Sequence, residues 1–161
     1  MNFPRKLGLF INLASKQKQC IFFHMGLIST KLKLENPRNP ALTPLEVEAL
    51  ADSGALHLCI PEHVAVQLKL EEIYRREVTT ADGKRHNCPY VGPVHVRFGN
   101  RGCFTGALVL GDQVLLGVVP MEDMDLIIQP AQRRVVVNPE SPNIPMSIAK
   151  GLRLLRPNPP L

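Results

Sequence analysis

Glu48-Ala49-Leu50-Ala51-Asp52-Ser53-Gly54-Ala55-Leu56-His57-Leu58 is the stretch on which the reading of the chain turns. An apolar run delivers one acid to a Ser-Gly turn, and the chain resumes with Leu56, Leu58 and Ile60 at alternating positions. A carboxylate in an apolar, strand-like setting is costly unless it is hydrogen-bonded or put to use. Gly54 lacks a Cβ, so a backbone or a second chain can approach closely. Ser53 adds a hydroxyl that donates or accepts. The plain alternative is a strand that ends in an Asp-Ser-Gly turn, a common arrangement.

On either side the pattern is of short strands. Ile28 to Glu35 alternates apolar and polar residues, which predicts a half-buried strand. A Pro-rich turn over Asn36 to Pro40 ends it. Val47 to Asp52 is the next strand. Pro61 opens a short helix over Glu62 to Leu68, with Glu62 in its first turn. Leu70 to Thr80 reads as a polar strand, and Asp82-Gly83 predicts a hairpin whose two turn residues both take positive φ. Two prolines, Pro89 and Pro93, place the returning chain on an exposed edge or an irregular arm. A hairpin turn follows over Arg97 to Gly102, then a strand over Phe104 to Leu110 and a buried strand, Val114 to Gly117. Pro120 predicts a short helix over Met121 to Met124, and a hairpin joins Leu126–Ile128 to Arg133–Val137. A strand, a proline and a short helix occur twice, at Leu56–Glu62 and at Leu115–Glu122. This order predicts an all-β chain: a small, partly closed β-barrel with one or two short helices.

Composition narrows the function. Of 19 basic residues, Arg5, Lys6, Lys16 and Lys18 precede Met25, leaving 15 against 14 acids in the body, a net charge of +1. That body lacks the basic, aromatic-studded face that nucleic acid requires. Hydrophobic residues make up 45% of the chain but aromatics only 5%, so the core is expected to be aliphatic. No apolar run reaches the roughly 18 residues of a membrane span. Cys20, Cys59, Cys88 and Cys103 form no CxxC and read as free thiols of a reducing, cytoplasmic compartment, with two disulfides as the alternative. Residues 1–24 read as a leader or an over-extended start before Met25-Gly26, with a weak targeting peptide as the alternative. Residues 25–138 form the domain, and 139–161 a Pro-rich tail with a short amphipathic piece at Ile148 to Leu155.

The order of the Asp52-Ser53-Gly54-Ala55 turn, Ile60-Pro61-Glu62, the Asp82-Gly83 hairpin and Leu115-Leu116-Gly117 followed by a helix resembles the single-lobed, retroviral-type aspartic proteases, in particular their small bacterial relatives. Leu115 to Leu126 is the more specific half of the match, and Asn138 to Pro145 is similar to the ending of those relatives. Ala51 departs from the larger apolar residue usual before the acid. The resemblance implies a retropepsin-like barrel and an aspartic endopeptidase needing no cofactor and no metal. Asp52 would be its catalytic acid, supported by Ser53, Gly54 and Ala55. Ala81, Asp82 and Gly83 would form the substrate-covering flap. Leu115, Leu116 and Gly117 would supply the second half of the barrel under the active turn.

That chemistry needs two equivalent acids sharing one proton, and the chain has one Asp-Ser-Gly. The resemblance therefore implies a homodimer with one Asp52 per subunit. The expected partners are a second copy of the chain and a peptide or protein substrate, with no nucleic acid and no membrane. The alternative is a weakly active or inactive dimerisation or peptide-binding module on the same fold. Two other sites carry less. His57-x-Cys59 and His86-x-Cys88, with Cys103, offer zinc ligands, but such pairs are usual in alternating strands. Glu122-Asp123-Met124-Asp125 reads as an acidic first helical turn with Met121 and Met124 inward, rather than as a cation site. His63 and His95 have no partner legible in the sequence.

Overall fold

A computed structural model describes residues 27–147. The leader and the piece at Ile148 to Leu155 lie outside these residues. Alternation makes the first two strands: β1 (Ile28–Glu35) turns Ile28, Leu32 and Leu34 inward and pairs antiparallel with β2 (Leu45–Ala51). β2 ends at Ala51, so Asp52 leaves the ladder instead of closing it. β3 (Leu58–Ile60) is short and wholly buried, and leads through Pro61 into α1 (Glu62–Gln67). β4 (Glu71–Thr79), β5 (Arg85–Phe98) and β6 (Arg101–Val109) follow as a meander. β7 (Val114–Leu116) then runs into α2 (Val118–Asp123). A separate two-stranded sheet joins β8 (Leu126–Gln129) to β9 (Arg134–Val137).

The main sheet has the order β1-β2-β7-β3-β6-β5-β4, and pairing of β1 with β5 closes six of these strands into a barrel, leaving β4 outside. Half of the structure is strand, and the fold fits a small all-β retropepsin-like barrel. Its core is aliphatic: Leu32, Leu34, Leu58, Ile60, Leu68, Val94, Val96 and Leu116 are under 2% exposed. Each such side chain contributes about 1.5–3 kcal/mol by leaving water. No helix among the described residues is long and apolar enough to cross a membrane.

Three expectations need correction. The return strand is an arm only over Arg85–Pro89, where it pairs with β4 alone, and from Tyr90 onward it is barrel wall. β5 is the longest strand and the most connected, pairing with β4, β6 and β1. Pro93 is accommodated because it falls where the β5–β6 register breaks, between Val91 and Val94. The Asp82-Gly83 turn is also different. Of its residues only Gly83 has positive φ, +79°. Gly83 N–H donates to Thr80 O and Thr80 N–H to Lys84 O, a three-residue loop with glycine in the left-handed position. Thirdly, α2 starts at Val118, so Glu122 and Asp123 lie in its last turn and its first turn holds no acid. Pro120 is tolerated there because the first N–H groups of a helix need no partner within it. Met121 and Met124 do pack inward.

Long-range polar contacts pin the loops. Asn36, 8% exposed, donates to Leu68 O at 2.9 Å and Lys69 O at 3.1 Å, tying the β1–β2 turn to the end of α1. His95 Nδ1 meets Glu35 Oε2 at 2.9 Å across the β1–β5 seam, the partner for His95 that the sequence left unseen. That contact holds the Glu35 carboxyl below its ordinary range. Past β9, Asp125 accepts from Ser141 Oγ, Met146 N and Asn138 Nδ2, while buried Arg101 donates to Ser141 O. The Ser141 hydroxyl, then the other two donors, bring the Asp125 carboxyl down to about 2.

Replacing Asn36 by Ala is expected to destabilise the domain by about 1–3 kcal/mol, since the buried Leu68 carbonyl loses its side-chain donor. Urea denaturation checks it. The strap from Asn138 to Met146 has its own pH signature. A carboxyl whose folded pKa is depressed stabilises above its unfolded pKa and ceases to do so as pH falls through the folded value. Hydrogen exchange at the Met146 amide is expected to be slow at neutral pH and to lose protection between about pH 4 and pH 2, the range set by the ordinary 3.8 and the shifted value of about 2.

Candidate active site

β7 lies between β2 and β3, parallel to the first and antiparallel to the second. The connection from β2 to β3 carries Asp52, Ser53, Gly54 and Ala55, so the turn arches over the end of β7. Asp52 N–H donates to Leu116 O at 3.1 Å, continuing the Ala51–Leu116 register by one hydrogen bond. Gly54 N–H donates to Asp52 Oδ1 at 2.8 Å, and Ala55 N–H to Asp52 O at 3.2 Å. The carboxylate is thus oriented by its own turn. Of its two oxygens, only Oδ1 has a hydrogen-bond partner among the described residues. Asp52 and Ala55 are half-buried, and Ser53 and Gly54 are exposed.

The far side of the turn is held by α2. Val118 N–H donates to Ala55 O at 2.8 Å and Val119 N–H to Leu56 O at 3.0 Å. These are donors that a helix start leaves free, and here the active turn takes them. Gly117 sits between. A Cβ at this position would lie 2.3 Å from His57 O and 2.7 Å from Ala55 O. Its φ of −81° is ordinary, so the demand for glycine is purely one of space. Leu116 is fully buried in the core below, and Leu115 is half-buried on the other face beside Cys59, Cys88 and Leu108. Of the three residues read from the sequence as the second half of the site, Leu116 and Gly117 contact the turn through their backbone, and Leu115 faces the Cys59 cluster.

Ala81, Asp82 and Gly83 form the exposed tip of the β4–β5 hairpin. Asp82 is occupied within the tip. Its Oδ1 accepts from Thr80 Oγ1 at 2.5 Å and from Lys84 N at 3.2 Å, and the Thr80 contact lowers its pKa. The proposed zinc ligands part company: Cys59 and Cys88 share a small apolar cluster, whereas Cys103 belongs to the main core. Burial pushes the Cys59 thiol up to about 11 and Cys103 up to about 12, so neither is a ready nucleophile. Cys59, Cys88 and Cys103 are all free thiols.

One group next to the turn had no sequence signal. His57 Nε2 lies 2.7 Å from Arg76 Nη1, and Arg76 Nη2 donates to Tyr74 Oη at 2.8 Å. The guanidinium carbon sits 4.6 Å from the centre of the Tyr90 ring, which stacks on Tyr74 at 4.9 Å. Burial, then the Arg76 charge, lowers the His57 pKa. Gly106 makes room for Tyr90, because a Cβ there would lie 2.3 Å from the ring. The pairing spans 19 residues across two elements, and no periodicity reports such a contact.

Substituting Gly117 by Ala is expected to push the turn off β7, because the blocking atoms are backbone and cannot rotate away. A loss of about 1–3 kcal/mol in stability is expected from overpacking of this kind. Thermal unfolding measures it, with Gly111→Ala, in an open turn at φ +77°, as the comparison for backbone strain without a clash.

No family model matches the chain, and no curated protein matches it. Among solved structures it is similar to the EIAV protease complexed with the inhibitor HBY-793, at 20% identity and a TM-score of 0.49, over 62% of this chain and 89% of that one. It is also similar to the solution structure of the Simian Foamy Virus (mac) protease, at 21% identity and a TM-score of 0.36, over 57% and 91%. Both of those proteins are retroviral proteases. The chain's own strand order, its six-strand closure and its two short helices describe a small all-β barrel.

Proposed function

We propose that this chain is an aspartic endopeptidase, active as a homodimer in which each protomer supplies one Asp52. The observation that carries this reading is the construction of the Asp52 turn: an acid lifted out of its strand, oriented through one oxygen by Gly54 N–H, and braced from below by Leu116 and from the side by α2. So much fixed backbone around a single carboxylate is what preorganised proton transfer asks for.

One acid is not enough. Asp82 and Asp125 are engaged at the hairpin tip and in the strap, Asp112 lies in the turn before β7, and Asp123 ends α2. A twofold axis beside the turn brings Asp52 to its own copy. Leu56, 59% exposed, and Val119, 41% exposed, flank the turn and give that copy an apolar surface to cover. Ser53 is exposed next to the acid and would hydrogen-bond across that axis.

Two carboxylates held face to face share a proton, because like charges so close do not both ionise. The ionised one takes a proton from a water as that water attacks the scissile carbonyl. The protonated one gives its hydrogen to the carbonyl oxygen. Collapse of the resulting diol, with a proton passed to the departing nitrogen, completes the hydrolysis without a covalent intermediate. The β4–β5 hairpin tip is the segment that would close over the peptide.

Asp52→Asn is expected to remove peptide turnover by at least about a hundredfold to ten-thousandfold, the usual worth of acid–base catalysis, while sedimentation still finds a dimer. Undiminished turnover in this variant would overturn the assignment. A wild-type dimer that binds peptides but never cleaves them would put the peptide-binding module in its place.

A further inference from the structure

The arm formed by β4 and β5 presents two different faces. On one, the charges are matched: Arg75 contacts Glu72 at 3.5 Å and Asn87 O at 2.7 Å, and Arg85 pairs with Glu77 at 3.1 Å. On the other stand Tyr74, Arg76 and Val78, and Val78 packs against the Cys59–Cys88–Leu108 cluster. Arg76 on this face is half-buried and has no carboxylate partner among the described residues. Its neighbours are a histidine nitrogen, a phenol oxygen and two ring faces, none of which carries a negative charge. A partly desolvated guanidinium left without an anion is ready to bind one.

The location gives the anion its identity. His57, which holds Arg76, lies in the same connection as Asp52, and its carbonyl oxygen is packed on Gly117. The arm that carries Arg76 ends in the candidate flap. We propose that Arg76, held by His57, Tyr74 and Tyr90, is a carboxylate-recognition subsite for an Asp or Glu side chain of the peptide lying beside Asp52. The inference rests on the peptide-cleaving reading above and adds a substrate class to it. Two of the guanidinium's donors are spent on His57 and Tyr74, and the fork retains others for the carboxylate. His57, neutral and accepting through Nε2, positions Arg76 without adding charge.

The test uses a peptide library cleaved by full-length wild-type protein and by Arg76→Gln, with cleavage sites read by mass spectrometry. The wild type is expected to enrich Asp and Glu about tenfold over Asn and Gln at one position near the cleaved bond, as a single charge-assisted contact gives. In Arg76→Gln that ratio is expected to fall to about one, and in Arg76→Glu to turn towards Lys and Arg. If Arg76 only braces the arm, all peptides lose turnover together and the ratio stays, which overturns the proposal. Weaker dimerisation of Arg76→Gln with an unaltered ratio overturns it too, and gives the guanidinium to a partner's carboxylate. Should wild-type protein cleave nothing, the protease reading fails separately. Fluorescence anisotropy with labelled Glu and Gln peptides on Asp52→Asn protein then decides: a Glu preference abolished by adding Arg76→Gln sustains the subsite, and equal or absent binding ends it.

Discussion

The contact between Gly117 and the backbone of Ala55 and His57 is the constraint from which the site is built. Two segments far apart in sequence meet there with no side chain between them. That closeness lets Val118 and Val119 reach the carbonyls of Ala55 and Leu56, and it lets β7 slide between β2 and β3. Each of these contacts is a main-chain hydrogen bond in a partly dry setting, where an unmade bond costs more than a made one contributes. The turn is therefore over-determined: β2 enters it, β3 leaves it, β7 runs beneath and α2 caps its side. Asp52 inherits a fixed position from four elements without a side-chain hydrogen bond to any of them among the described residues.

Such a turn also explains why the barrel closes as it does. β7 has only three residues, too few to hold a sheet together alone. Closure is completed on the opposite side by β5, which spends its first half on β4 and its second half on β1 and β6. The same strand thus joins the barrel wall to the exposed arm, and any movement of the arm is hinged on a strand whose other end is buried. The break in register between Val91 and Val94 marks the division between the two halves.

How much of this the sequence announces depends on the range of the interaction. Alternation over Ile28 to Glu35 reports burial directly, and that strand has the bounds read from it. Asp52-Ser53-Gly54 and Leu115-Leu116-Gly117 are short and local, and the structure brings the two segments together. Local rules misled where tertiary contacts override them. The two prolines of β5 argue for an edge, yet a register break absorbs one of them within the barrel wall. Pro120 argues for a helix start, yet the helix begins two residues earlier because the active turn supplies acceptors for Val118 and Val119. The pairs His57–Arg76 and His95–Glu35 are 19 and 60 residues apart and leave no pattern at all. What could have pointed to the first is an excess: β4 carries Arg75 and Arg76 in succession, and alternation must send one of them inward.

The proposed chemistry and the proposed subsite make opposite demands on pH. A dyad sharing one proton works in mild acid, where that proton is retained. A guanidinium recognises Asp or Glu only while the substrate acid is ionised, above roughly pH 4 by the ordinary values of these groups. Burial, then the Arg76 charge, makes the His57 ring harder to protonate than an ordinary histidine. The strap persists further into acid, because the Asp125 carboxyl that holds Ser141, Asn138 and Met146 is brought down to about 2. Recognition is therefore lost before the strap is as pH falls, while the shared proton sets the upper bound. An acidic substrate confines the enzyme to the interval between them, and a neutral substrate frees it from the recognition bound alone. The acid limb of a pH–rate profile thus depends on the peptide, whereas the alkaline limb belongs to the dyad.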